Sequence, residues 1–106
     1  IHKDLPQGYY YPPTVLENVT SSNPVWDEEL FGPVIMLSCF HNDAEAIRLA
    51  NDSKYGLASY VFTQSIKRVS FYSENMENGM VGINAVKLSN PATPFGGKPG
   101  IGKEGG

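Results

Sequence analysis

Trp26-Asp27-Glu28-Glu29-Leu30-Phe31-Gly32-Pro33 runs directly into Val34-Ile35-Met36-Leu37. Two adjacent carboxylates, an aromatic ring and a Gly-Pro break stand immediately ahead of an apolar run. Carried on to Phe40, that run places Val34, Met36, Ser38 and Phe40 on one face and Ile35, Leu37 and Cys39 on the other. Both faces are mainly apolar, which is the pattern of a strand covered on two sides and predicts a buried strand over 34–40. Polar chemistry is thereby delivered to one end of a sheet, where open α/β sheets hold ligands when strand polarity permits.

Downstream, Asn42 with Glu45 three residues on has capping-box spacing, and Ala46, Ile47 and Ala50 recur at helical intervals. A helix is predicted from Asp43 to about Asn51. Residues 57–62 are again apolar on both faces, Leu57 and Val61 on one, Ala58, Tyr60 and Phe62 on the other, and read as a second buried strand. Thr63 or Ser65 can cap a second helix with Ile66, Val69, Tyr72 and Met76 as its stripe and Gly79 as its stop. Met80 to Ile83 gives a third strand, ending at Asn84. Strand, helix, strand, helix, strand with short connections predicts an α/β fold, a parallel βαβαβ sheet with helices packed on it.

Upstream, residues 1–13 combine Pro6, Gly8, Pro12 and Pro13 with three consecutive tyrosines, too interrupted for a helix or central strand. Thr14 to Leu16 is a short β-prone piece, and 18–24 is a turn-rich connection. From Lys87 onward proline and glycine alternate and periodicity is lost. The chain therefore divides into an irregular opening and connection (1–30), a βαβαβ core (31–84) and a Gly/Pro-rich tail (85–106). If the three strands are ordered sequentially, both right-handed crossovers put their helices on one side and leave the other apolar face bare. Self-association, marginal stability or a missing partner segment is the expected consequence.

Composition narrows the function classes. A chain of 106 residues with 41% hydrophobic and 18% charged residues is an ordinary globular sequence, able to bury roughly 65% of its unfolded surface. It has no apolar run long enough to span a bilayer. A net charge of -3 with scattered basic residues gives no case for nucleic acid or anionic membrane as partner. One cysteine makes no internal disulfide, and with no leader at the N-terminus the cytoplasm is the expected location. Cys39 lies mid-strand with no neighbouring base and reads as a buried structural residue rather than a nucleophile. His2 and His41 have no metal-ligand spacing, so no metal site is expected.

Several segments, in order, carry a family resemblance. Glu28-Glu29-Leu30-Phe31-Gly32-Pro33-Val34 resembles the Glu-Glu-x-Phe-Gly-Pro-Val signature of the NAD(P)-dependent aldehyde dehydrogenases. Gly8 with Pro13-Thr14-Val15-Leu16, Asn51 with Tyr55-Gly56-Leu57, Val61-Phe62-Thr63, Gly79-Met80-Val81-Gly82-Ile83-Asn84 and Pro94-Phe95-Gly96-Gly97 are similar to further motifs of that family. Each is weak alone; together they span almost the whole chain. The resemblance implies a C-terminal part of the catalytic domain, with a lean towards the succinate-semialdehyde dehydrogenase branch in the Gly-Met-Val-x-Ile-Asn segment.

The resemblance also assigns roles. Glu29 corresponds to a carboxylate that holds a ribose hydroxyl of NAD or NADP, and Phe31 to a ring beside the nicotinamide; a carboxylate suits a sugar diol and an aromatic gives a flat apolar wall. Asn84 corresponds to a residue beside the oxyanion region and Phe95 to a wall of the aldehyde tunnel. Taken without the family, Glu28-Glu29 is a solvated pair beside a core phenylalanine, Asn84 a strand terminator and Phe95 a core residue. In the family a cysteine thiolate attacks the aldehyde, hydride passes to the cofactor, and a glutamate-activated water hydrolyses the thioester. The counterparts of that cysteine, that glutamate and the main dinucleotide-binding part are not in this chain, which implies no catalytic residues here and inactivity in isolation.

Two other readings remain open: a non-catalytic assembly module using the bare sheet face, and a phosphate binder using the tail. Gly97 to Lys103 spells a phosphate-loop pattern, but Glu104 stands where Ser or Thr is required, and Gly100, Gly102 and Gly105 have neither a strand before them nor room for a helix after. By resemblance Gly100 to Glu104 corresponds to a Ser-Gly-x-Gly-Arg-Glu segment, here without the serine and with Lys103 for arginine.

Overall fold

The computed structural model describes residues 8–88, 90–92 and 96–97. It falls into two compact units, residues 1–40 and 41–106. In the first, strand β1 (Thr14–Leu16) pairs in parallel with β2 (Val34–Met36), Thr14 opposite Val34 and Leu16 opposite Met36. A 3-10 turn, Pro24–Asp27, lies between them, with Asn23 as its cap accepting from the Val25 amide. Proline is favourable there because its missing N–H would have had no helical partner.

β2 is shorter than the apolar run predicted. A strand lasts as long as its partner ladder, and β1 ends where Asn18 takes a left-handed φ of 56°. The Leu37 amide still donates to Leu16 and the Val19 amide to Leu37, but the pairing goes no further as a ladder. The exit is pinned by the Ser38 hydroxyl donating to the Val19 carbonyl, and Val19 is buried. Cys39, past the end of the strand, is exposed rather than buried.

The second unit holds α1 (Asp43–Asn51), β3 (Ala58–Val61), α2 (Ile66–Asn75) and β4 (Met80–Ile83). Helix α1 starts as its sequence predicts: the Asn42 side chain accepts from the Glu45 amide at 2.8 Å. The Glu45 carboxylate reaches back one residue further than in the usual box, to the His41 amide at 2.7 Å. Ser65, not Thr63, caps α2; Thr63 instead accepts from the Ser65 amide. Strands β3 and β4 are parallel, Ala58 opposite Met80 and Val61 opposite Ile83, joined by α2, which packs against β4. This is a complete βαβ unit.

The α/β class with parallel strands and two helices is as expected. The strand pairing differs from one three-stranded ladder: β2 is bonded to β1, and β3 to β4. The β-prone tripeptide Thr14–Leu16 supplies the partner of β2. The strands are also less covered than their two-sided apolar pattern implies. Among the described residues only Val19 and Tyr72 are buried hydrophobics, while Ile35 is 59% and Phe62 65% exposed.

Gly79 differs in its reason. Helix α2 ends at Asn75 with Met76 as an extended cap, so Gly79 is not the helix stop. A side chain there would coincide with the Gly96 carbonyl, whose oxygen lies 1.6 Å from the position a Cβ would take. Glycine is required for close backbone approach.

Candidate functional site

The acidic-aromatic turn leads out of the 3-10 turn and into β2, so it sits at the N-terminal end of that strand. Ligands in open parallel sheets gather at the carboxyl ends, and strand polarity therefore does not put Glu29 and Phe31 there. The turn instead forms one side of an open concavity of about 650 Å³ within the first unit, lined by Tyr9, Tyr10, Tyr11, Leu30 and Phe31 and closed by Gly32 to Val34. Phe31 is 94% exposed and presents its ring to solvent; Glu29 is exposed two residues away. The tyrosine run, which the sequence marks only as irregular, supplies the opposite wall. Gly8 permits this: its φ is 149°, and the Tyr10 ring lies where a Cβ would be.

That arrangement fits an aromatic ligand group. Phe31 and the tyrosines offer flat apolar faces, while Glu29 is exposed to solvent and does not line the concavity.

Asn84 lies elsewhere, at the carboxyl end of β4. Its amide oxygen accepts from the Thr63 amide and its amide nitrogen donates to the Thr63 carbonyl, both at 2.9 Å. The structure thus brings together Asn84 and the end of β3. Phe95 lies outside the described residues, as do Pro94, the glycine-rich residues after Gly97, and His2.

Two side-chain groups escaped the sequence reading. The Asp43 carboxylate accepts from Arg68 Nε at 3.1 and 3.0 Å and from the Tyr72 hydroxyl at 2.8 Å, tying the first turn of α1 to α2. Arg68, then Tyr72, hold the Asp43 carboxyl below its ordinary range, and Asp43 in turn raises Arg68. Burial, then the bond to Asp43, pushes the Tyr72 hydroxyl up. Asn51, at the end of α1, donates to the Asn75 carbonyl and accepts from the Glu77 amide. These partners are 24 to 29 residues apart, so no local spacing rule finds them. Among the described residues no group of His, Cys, Asp and Glu could hold a metal, and no helix is long and apolar enough to cross a membrane.

Comparison with known proteins gives one answer throughout. The chain is 46% identical over 101 residues to a succinate-semialdehyde dehydrogenase of Paenarthrobacter nicotinovorans, covering 93% of this chain and 22% of that protein. The structure of an oxidoreductase from Marinobacter aquaeolei superposes with a TM-score of 0.83 at 39% identity, over 97% of this chain and 22% of that one. An aldehyde dehydrogenase from Bacillus cereus, solved as its NAD+ complex, superposes at 0.79 and 43% identity, over 85% of this chain and 18% of that one. The chain spans about a fifth of the length of the relatives it matches. The sequence profile of the aldehyde dehydrogenase family matches residues 2–106, and with the motifs in order and the parallel α/β fold in place, the chain belongs to that family.

Proposed function

We propose that this chain supplies cofactor-facing and substrate-facing walls to an NAD(P)-dependent aldehyde dehydrogenase that oxidises an aldehyde to a carboxylic acid. The observation that carries the reading is the exposed Phe31 ring on the tyrosine-lined concavity with Glu29 two residues away. When bound, the nicotinamide group supplies a hydride acceptor. Phe31 gives it an apolar face that excludes water from one side, and Glu29 accepts hydrogen bonds from a ribose diol, orienting the ring. Asn84 and Phe95 belong to the aldehyde side. The names of two relatives point towards semialdehydes as the substrate class, and the cofactor is NAD+ or NADP+, one similar structure being an NAD+ complex and another an NADP-dependent enzyme.

Saturation-transfer NMR with NAD+ and NADP+ tests the wall. Weak binding is expected, with transfer to nicotinamide protons that Phe31→Ala abolishes and Glu29→Gln reduces for the ribose protons. Absence of any transfer to the unaltered chain would overturn the reading. The 106 residues by themselves are expected to form no NAD(P)H from succinate semialdehyde, because nothing in them corresponds to the family's nucleophile or general base; measurable turnover would refute this.

A second reading rests on the apolar side chains left open on both units, Ile35, Leu37 and Phe40 on one and Tyr60 and Phe62 on the other. Such patches mark interfaces. The chain in this reading is an assembly module that pairs with a second copy or is covered by further polypeptide of the same protein.

A further inference from the structure

Asn84 combines three features in one residue. Its φ is 52°, the left-handed region that asparagine enters more readily than other side chains except glycine. Its backbone amide donates to the Val61 carbonyl at 2.8 Å, the next rung after the β3–β4 ladder. Its side-chain amide then makes the reciprocal pair that a backbone would have made, accepting from Thr63 N–H and donating to Thr63 C=O. The left-handed turn takes the main chain away from β3, and the side chain replaces it as the last member of the ladder.

We propose that Asn84 is a positioning residue: a side-chain clip that holds the carboxyl ends of β3 and β4 in register while its backbone turns the following segment back over the sheet. That return is visible in Leu88, whose Cδ2 lies 2.7 Å from where a Cβ on Gly82 would sit, with the Tyr60 ring at 3.1 Å. Gly82 is buried beneath both. An amide bonded to Thr63 in both directions is aimed at that strand end, and the clip stands apart from the aldehyde-oxidising reading.

Asparagine is chemically specific here. A carboxylate keeps the acceptor for Thr63 N–H but sets a negative oxygen against the Thr63 carbonyl, whereas a protonated carboxyl restores both directions. Hydrogen exchange of the Thr63 amide in the full 106-residue chain reads this directly, with the Val69 and Met80 amides, bonded to Ser65 and Leu57, as controls for global opening. Asn84→Gly keeps the left-handed backbone without strain and removes the clip; Thr63 exchange is expected to rise about tenfold with the controls unchanged. Asn84→Asp is expected to match Asn84→Gly at about pH 7 and to return towards the unaltered chain at about pH 4, after correction for intrinsic rates. Unchanged Thr63 exchange in Asn84→Gly, or an Asn84→Asp profile without acid recovery, would overturn the proposal. If Asn84→Gly loses the control amides too, the pH comparison within Asn84→Asp decides alone. Because no nucleotide or aldehyde enters the measurement, its failure is separate from failure of the proposed function.

Discussion

Asp43 shows how one carboxylate can do more than its position suggests. It is the first residue of α1, where a negative charge is favourable at the helix N-terminus, and it also anchors Arg68 and Tyr72 of α2. Its pKa is lowered in the folded chain, chiefly by Arg68, so the stability it contributes is present above the unfolded value and is lost as pH falls through the folded one. Glu45 is lowered as well, first by the His41 amide and then by the His41 ring, and acts in the same direction. Thermal unfolding followed from about pH 6 down to about pH 2 is therefore expected to show stability falling below about pH 4. Asp43→Asn should flatten that acid limb. A variant with an unchanged acid limb would show that the charge on Asp43 is irrelevant to holding the helices.

Helices and strands here depend on a few backbone accommodations. The caps Asn42 and Ser65 each satisfy an amide at a helix start, and Asn42→Ala is expected to cost about 1 kcal/mol in urea unfolding. Gly79 is the sharper case, because what a side chain would strike is the backbone of Gly96 rather than a rotamer that can swing aside. Gly79→Ala is expected to destabilise by about 1–3 kcal/mol, the range of overpacked sites, with loss of protection at Met80 before Val69. A Gly79→Ala variant of unaltered stability would mean that Gly96 does not rest against Gly79, the residue before β4. The sequence marked Gly79 as special for the wrong reason: a glycine after Asn78 reads as a helix stop, and only the return of Gly96 from 17 residues further on shows what it makes room for.

Considered as a whole molecule, the chain has more apolar surface than its own elements cover. Exposed Ile35, Leu37, Phe40, Tyr60 and Phe62 imply weak, concentration-dependent association for the 106 residues on their own. Sedimentation velocity over a wide concentration range checks this. Ile35→Lys and Phe62→Lys, each on an open face, are expected to shift the distribution towards monomer without loss of helical signal. A single monomeric species at every concentration would remove the basis for the assembly reading.

What the residues determined by themselves was local or motif-borne. Helix α1 with its cap, β4, the existence and parallel sense of the strands, and the family all follow from patterns a few residues long, because propensity, capping and the crossover rule act over such distances. Tertiary structure decided the rest: which edge β2 pairs with, why β2 stops at Met36 and exposes Cys39, and what the amides of Asn51 and Asn84 hold. Those outcomes depend on groups brought together from 20 or so residues away, where competition between alternative partners, rather than any residue's own preference, selects the pairing.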